Sequence, residues 1–210
     1  MSIAEELSDG CAKLNIVLDQ EIQQKLLAYQ ALLKKWNRVY NLTAIQDEHS
    51  MVSYHLLDSI AVLPYLWPGK WLDVGCGAGL PGIVLAIAKP DWEVTLIDSN
   101  SKKTSFVQQV IIELGIPNAD IHNARVENWQ SETLYDGIIS RAFSDLAQFI
   151  KYTRHLIAPA GRWAAMKGKP EKFELEHLPD SCKVTDHINL KVPGIQAERS
   201  LVIASCKGMT

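Results

Sequence analysis

The chain has 210 residues, 47% of them hydrophobic and 21% charged, with a formal net charge of −3. That length fits one domain with a small extension, and the apolar content excludes a chain disordered throughout. No apolar run approaches the roughly 20 residues that cross a bilayer. Glu5, Glu6 and Asp9 stand where a secretory leader would be basic and then apolar. A slightly acidic chain does not coat nucleic acid nonspecifically, so any such contact must come from a local basic patch. Cys11, Cys76, Cys182 and Cys206 form no CxxC pair, and reduced thiols of a cytoplasmic protein are expected.

The first third reads as helical. Ile22, Leu26, Tyr29, Leu33, Trp36 and Tyr40 recur at steps of three and four after Asp19, a possible N-cap. A second helix is predicted after Asp47, with Val52, Leu56, Ile60 and Leu63 inward and Pro64 ending it. Residues 1–65 are therefore expected to form an N-terminal helical extension, and residues 66–210 the main domain.

From residue 70 strands and helices alternate. Lys70 to Val74 reads as a strand, Leu80 to Ala88 as a helix with Pro81 at its first position, and Val94 to Ile97 as a strand. Lys102 to Leu114 is a predicted helix capped by Gly115. Strands follow around Ile121 and at Gly137 to Ser140. A helix is expected over Asp145 to Ile157, then a strand at Arg162 to Met166. Val184 to Val192 and Ser200 to Cys206 have no long helix between them and are predicted to pair antiparallel. The pattern gives an α/β, Rossmann-like fold with a mostly parallel sheet and an antiparallel C-terminal hairpin. Its ligand belongs at the carboxyl ends of the strands.

The densest signal is the stretch from Asp73 to Gly82, with Gly75, Gly77, Gly79 and Gly82 at the end of the first strand. Asp98 closes the next strand, where a carboxylate can accept ribose hydroxyls. Two cofactors compete. Gly77-x-Gly79-x-x-Gly82 matches the dinucleotide fingerprint of a NAD-dependent oxidoreductase. Counted from Gly75, where the strand ends, the loop is the GxGxG of S-adenosylmethionine-dependent methyltransferases. Arg125-Val126-Glu127 follows the third strand; Glu127 can meet an adenine or merely favour a helix start. Ser140 and Arg141 end the fourth strand, with a hydroxyl and a fixed cation for a substrate or, for Arg141, a surface ion pair. Neither Asn/Asp-Pro-Pro-aromatic nor a nucleophilic Cys is present there.

Residues 141–172 carry Arg141, Lys151, Arg154, Arg162, Lys167, Lys169 and Lys172 against Asp145 and Glu171. Such a concentration suits phosphate contacts or, equally, a solvated charged face. Lys34, Lys35 and Arg38 add a second stripe. The six histidines are scattered and no metal is expected.

Lys35-Trp-Asn-Arg-Val-Tyr-Asn-Leu-Thr43, His55-Leu-Leu-Asp-Ser59, the glycine loop, Ser140-Arg-Ala-Phe143, Met166-Lys-Gly168, Val192-Pro-Gly194 and Glu198-Arg199 occur in that order. Together they resemble the bacterial small-subunit rRNA methyltransferase family also called glucose-inhibited division protein B. The first two motifs are more specific than the glycine loop. The resemblance implies methyl transfer from S-adenosyl-L-methionine to nitrogen 7 of a guanine in the decoding-region loop of 16S rRNA. It implies a cytoplasmic enzyme, expected as a monomer, with the small ribosomal subunit as partner and no general base. Cofactor contacts are expected at Gly75, Gly77, Gly79, Leu80, Asp98, Val126, Glu127 and Arg141. RNA contacts are expected at Arg125, Arg141, Phe143 and Lys167, with core packing the favoured role of Phe143. Another RNA, or a small molecule, is the alternative substrate.

Overall fold

A computed structural model of the chain describes residues 1–169, 178–179 and 181–206. Glu171 and Lys172 of the basic segment lie outside these. β1 (Lys70–Val74) is buried from Trp71 onward and sits inside a seven-stranded sheet. The others are β2 (Glu93–Asp98), β3 (Ala119–Asn123), β4 (Tyr135–Ser140), β5 (Ile157–Lys167), β6 (Cys182–Leu190) and β7 (Arg199–Cys206). Their order is β3-β2-β1-β4-β5-β7-β6. The first five run parallel, and β7 lies antiparallel between β5 and β6, as the missing helix between the last two predicts. The sheet changes direction of growth beside β1, so the ends of β1, β2 and β4 border one crevice.

The helices are α1 (Ile3–Lys13), α2 (Gln20–Tyr40), α3 (Glu48–Met51), α4 (Asp58–Ile60), α5 (Gly82–Ala88), α6 (Ser101–Leu114) and α7 (Leu146–Thr153). Ser2 and Glu5 close a capping box on α1; Asp19 precedes α2 but makes no capping bond. Asn100 caps α6, whose end is turned by Gly115 in the left-handed conformation. Pro81 stands just before α5 rather than within it, because the glycine turn runs on to that point.

The helix predicted after Asp47 is interrupted. Residues Val52–Leu57 wind as a π-helix between α3 and α4, yet Val52, Leu56, Ile60 and Leu63 all point inward. A π-turn inserts a residue into the helix and re-aims the side chains around it. The helix expected over Asp145–Ile157 ends at Thr153; a 3₁₀ turn then leads into β5, which starts earlier than predicted.

One face of the sheet shares a core with the N-terminal helices: Leu7, Leu26, Tyr29, Leu33, Val52 and Ile60 pack with Ile83, Phe106 and Val107. Each such fully buried aliphatic contributes about 1.5–3 kcal/mol. On the other face Leu146, Phe149 and Ile150 of α7 cover Leu72, Ile138 and Trp163. Among the described residues no helix is long and apolar enough to cross a membrane.

The thiol expectation needs correction. Cys182 and Cys206 are joined by a disulfide, because the β6–β7 register sets them directly opposite each other. Cys11 and Cys76 are free and buried.

Candidate functional site

The glycine turn is built by its own backbone. The amides of Gly75 and Cys76 donate to the Ile97 carbonyl at 2.9 and 3.2 Å, tying the turn to β2. Gly79 and Leu80 donate to the Cys76 carbonyl at 2.8 and 2.9 Å. Gly75 has φ +67° and a Cβ there would stand 2.8 Å from that of Ala142, so only glycine fits. From above, the Tyr29 hydroxyl of α2 donates to the Ala78 carbonyl at 2.8 Å.

Asp98 braces the same turn. One carboxylate oxygen accepts the Gly77 amide and the other the Asn100 amide, each at 2.8 Å. Each oxygen keeps a second lone pair for a ligand hydroxyl. Beneath the turn, buried Asp73 accepts the Gly82 amide at 2.7 Å, while its Oδ1 has no partner among the described residues. Burial pushes this carboxyl up to about 7, against the opposing pull of the Gly82 amide.

Three cavities line the crevice. The first, about 180 Å³, is bordered by Gly75, Asp98, Arg125, Val126, Glu127 and Phe143. The second, about 180 Å³, is bordered by Thr43, His55, Gly77, Leu80, Lys103 and Arg141. Gly75 and Ala142 belong to both. The third, about 310 Å³, is bordered by Tyr54, His55, Asp58, Arg141, Lys167 and Arg199. His55 and Arg141 are common to the second and third.

The first two halves fit a bipartite ligand. Asp98 and Glu127 supply acceptors at one end for a nucleoside. Lys103, on the wall of the second cavity, supplies a cation for the carboxylate of an amino-acid end. A dinucleotide would instead want its pyrophosphate at a helix start. Here the helix after the turn begins only at Gly82, whose amide already bonds Asp73.

All eleven expected residues border these cavities or the turn, and they divide. Val126 is buried and Leu80 is buried. Arg125 is largely exposed and pairs with Glu127 at 3.8 Å beside the first cavity. Phe143 stacks on Phe149 with centroids 5.0 Å apart and borders the first cavity, away from the basic one. Arg141 does not make a surface pair. Its Nη1 donates to the buried Asp58 carboxylate at 3.2 Å and to the Tyr54 carbonyl at 3.1 Å. Lys167 Nζ donates to the Ser144 carbonyl at 2.6 Å on the wall of the third cavity. The Ser140 hydroxyl is engaged with the backbone, donating to Val74 at 2.7 Å and accepting from Ala142, so it pins β4 to β1.

The basic segment does not form one patch. Arg162 lies over the Trp67 ring at 3.7 Å, ahead of β1 and hence at the opposite edge of the sheet. Arg154 bonds Ser181. Lys34 of the N-terminal stripe pairs with Glu48 at 2.7 Å. Among the described residues no group of three or more His, Cys, Asp or Glu is placed to hold a metal.

Sequence reasoning passed over His55, Asp58, Lys103 and Arg199, although His55, Asp58 and Arg199 lie within the quoted motifs. His55 is buried, bonds Thr43 Oγ1 through Nε2 at 3.0 Å, and leaves Nδ1 without a partner among the described residues. Burial, aided by the Arg141 charge, pushes its imidazole down to about 4 and keeps it neutral at pH 7.

Comparison with known proteins agrees with this geometry. The family described as "rRNA small subunit methyltransferase G" matches residues 22–202. A protein of Laribacter hongkongensis named ribosomal RNA small subunit methyltransferase G is 50% identical over 96% of this chain and 98% of its own. A Pseudomonas aeruginosa protein of the same name is 49% identical over 97% of this chain and 95% of its own. Among solved structures, a SAM-dependent methyltransferase from Aquifex aeolicus aligns with a TM-score of 0.55 at 18% identity, covering 74% of this chain and 92% of that one, a likeness of fold. With a matching profile over most of its length and half its residues shared with such relatives, the chain belongs to the rRNA small subunit methyltransferase G family.

Proposed function

We propose that this protein methylates nitrogen 7 of one guanine in the decoding-region loop of 16S rRNA, in the cytoplasm, using S-adenosyl-L-methionine. One observation carries the reading: Arg141 is the common wall between the glycine-turn cavities and a cavity rimmed by further cations, Lys167 and Arg199. A donor on one side and an anionic nucleotide on the other would meet there.

When bound, S-adenosylmethionine supplies a methyl group on a positively charged sulfur. The turn at Gly75, Gly77 and Gly79, with Leu80, Asp98, Val126 and Glu127, would hold it. Residues 1–65 act as a brace, with Tyr29 fixing the turn from above. Guanine nitrogen 7 has a lone pair and no proton, so the reaction needs no general base. The neutral His55 and the protonated Cys76 therefore have no proton to move. What the chain contributes is alignment, which can supply on the order of 7–11 kcal/mol through effective molarity. The N7 edge of a paired guanine faces a deep groove closed to side chains, so the target is an unstacked loop base.

Purified protein, labelled S-adenosylmethionine and 16S rRNA or small subunits from cells lacking the enzyme provide the test. Mass mapping should find one methyl on one guanine at N7. A methyl on an exocyclic amine, or none, refutes the reading.

A further inference from the structure

Asp58 joins three distant parts of the chain. It begins α4, Arg141 follows β4 and Arg199 starts β7. Asp58 is 3% exposed. Its Oδ2 accepts Arg141 Nη1 at 3.2 Å and its Oδ1 accepts Arg199 Nε at 3.1 Å. Arg141 Nη1 also reaches the Tyr54 carbonyl, and Arg199 Nη1 the Glu198 carbonyl at 3.0 Å. Arg141 Nε and Nη2 and Arg199 Nη2 have no protein acceptor among the described residues.

One carboxylate thus holds two guanidiniums whose side chains are 28% and 24% exposed. Charge balance asks for one cation; the second leaves a net positive charge and spare donors on the wall of the 310 Å³ cavity. A buried carboxylate bound to cations does little for stability relative to apolar packing. The surplus suits a ligand with acceptor atoms, and the cavity exceeds the size of a purine base.

An arginine free to swing grips guanine through O6 and N7 together, the commonest specific arginine–guanine contact. In this reaction that grip would cover the attacking lone pair. Resting on the reading under Proposed function, we propose that the third cavity seats the target nucleotide and that Asp58 is a positioning residue. It holds Arg141 and Arg199 so that their spare N–H groups reach guanine O6 and phosphate while N7 stays open.

The experiment compares Arg199→Ala, Arg199→Lys and Asp58→Asn with the wild type on 16S rRNA. It measures Kd for S-adenosylhomocysteine, kcat, and KM as a function of salt. Arg199→Ala should leave the cofactor Kd within about twofold, raise KM at least about tenfold and lower the salt slope by about one. Arg199→Lys should restore the slope but not the KM, since a point charge lacks the fork. Asp58→Asn should lower kcat about tenfold or more, with the cofactor Kd weakened by far less than turnover falls, although Arg141 also borders the second cavity. An Arg199→Ala enzyme with wild-type KM and slope overturns the proposal. So does a cofactor Kd that weakens in step with turnover, for the cavity would then serve the cofactor. A wild type inactive on 16S rRNA would sink the functional reading itself; an active wild type matched by Arg199→Ala sinks only this inference.

Discussion

Tyr29→Phe removes one oxygen atom and leaves the packing in place. The ring is 0% exposed, with its centroid 6.4 Å from that of Phe106, and phenylalanine fills the same space. Burial pushes the phenol upward, so it remains a protonated donor at any working pH. Its one hydrogen bond reaches the Ala78 carbonyl, which takes no other bond among the described residues. A buried carbonyl left without a donor costs about 1–3 kcal/mol. For a chain of this length, each kcal/mol lowers Tm by about 2–4 °C, so a drop of about 2–12 °C is expected. If the turn relieves that cost by leaving its bound shape, cofactor binding must restore it, and Kd weakens by about 5–150-fold. Thermal melts and calorimetric titration with S-adenosylhomocysteine measure both. A variant with the wild-type Tm and Kd would show that α2 does not brace the turn.

Asp98→Ala strips the acceptor from two amides, at Gly77 and Asn100, as well as the expected ribose contact. Calorimetry should show cofactor Kd weakened by about 30-fold or more, and an unchanged Kd refutes the assignment. Cys76→Ser should keep turnover within about threefold, because burial pushes this thiol well above its usual value and no thiolate forms; loss of methyl transfer in the filter assay would overturn the thiol-free mechanism. For His55, the folded value of about 4 lies below the unfolded value near 6.5. Its stabilisation is complete above pH 6.5 and lost as pH falls toward 4, on the order of 3 kcal/mol. Asp73, pushed up to about 7, works oppositely: its contribution is complete below its ordinary range and lost as pH rises to 7. Urea melts of the wild type and His55→Gln should therefore differ by an amount that grows from pH 4 to 6.5 and then levels; a constant difference refutes the buried neutral ring.

Strand–helix alternation was readable because each element carries its own signal: apolar runs at 70–74 and 94–97, a cap at Gly115, and the lack of a helix before residue 200. Asp98 and the glycine turn were readable for the same reason, since the turn chemistry is local. The π-turn was not, because Val52, Leu56 and Ile60 keep a spacing that a regular helix also satisfies. The disulfide and the Asp58 cluster were hidden by a different cause. Cys182 meets Cys206 through strand register, and Asp58 meets Arg199 across 141 residues of chain, so neither pairing leaves a spacing to read. Ser140 was assigned outward because strand ends usually present side chains to ligand; its hydroxyl instead binds the neighbouring strand's backbone.

The reversed direction of β7 has an effect on assembly during synthesis. Running against its neighbours, β7 delivers its first residue to the edge where β1 and β4 deliver their last, and so brings Arg199 there. The walls of the donor half are all encoded before residue 144, whereas the basic half stays unfinished until Arg199 and Ser200 have been added. A product cut before Arg199 would lack that cation of the basic half, while every residue lining the donor half would still be present.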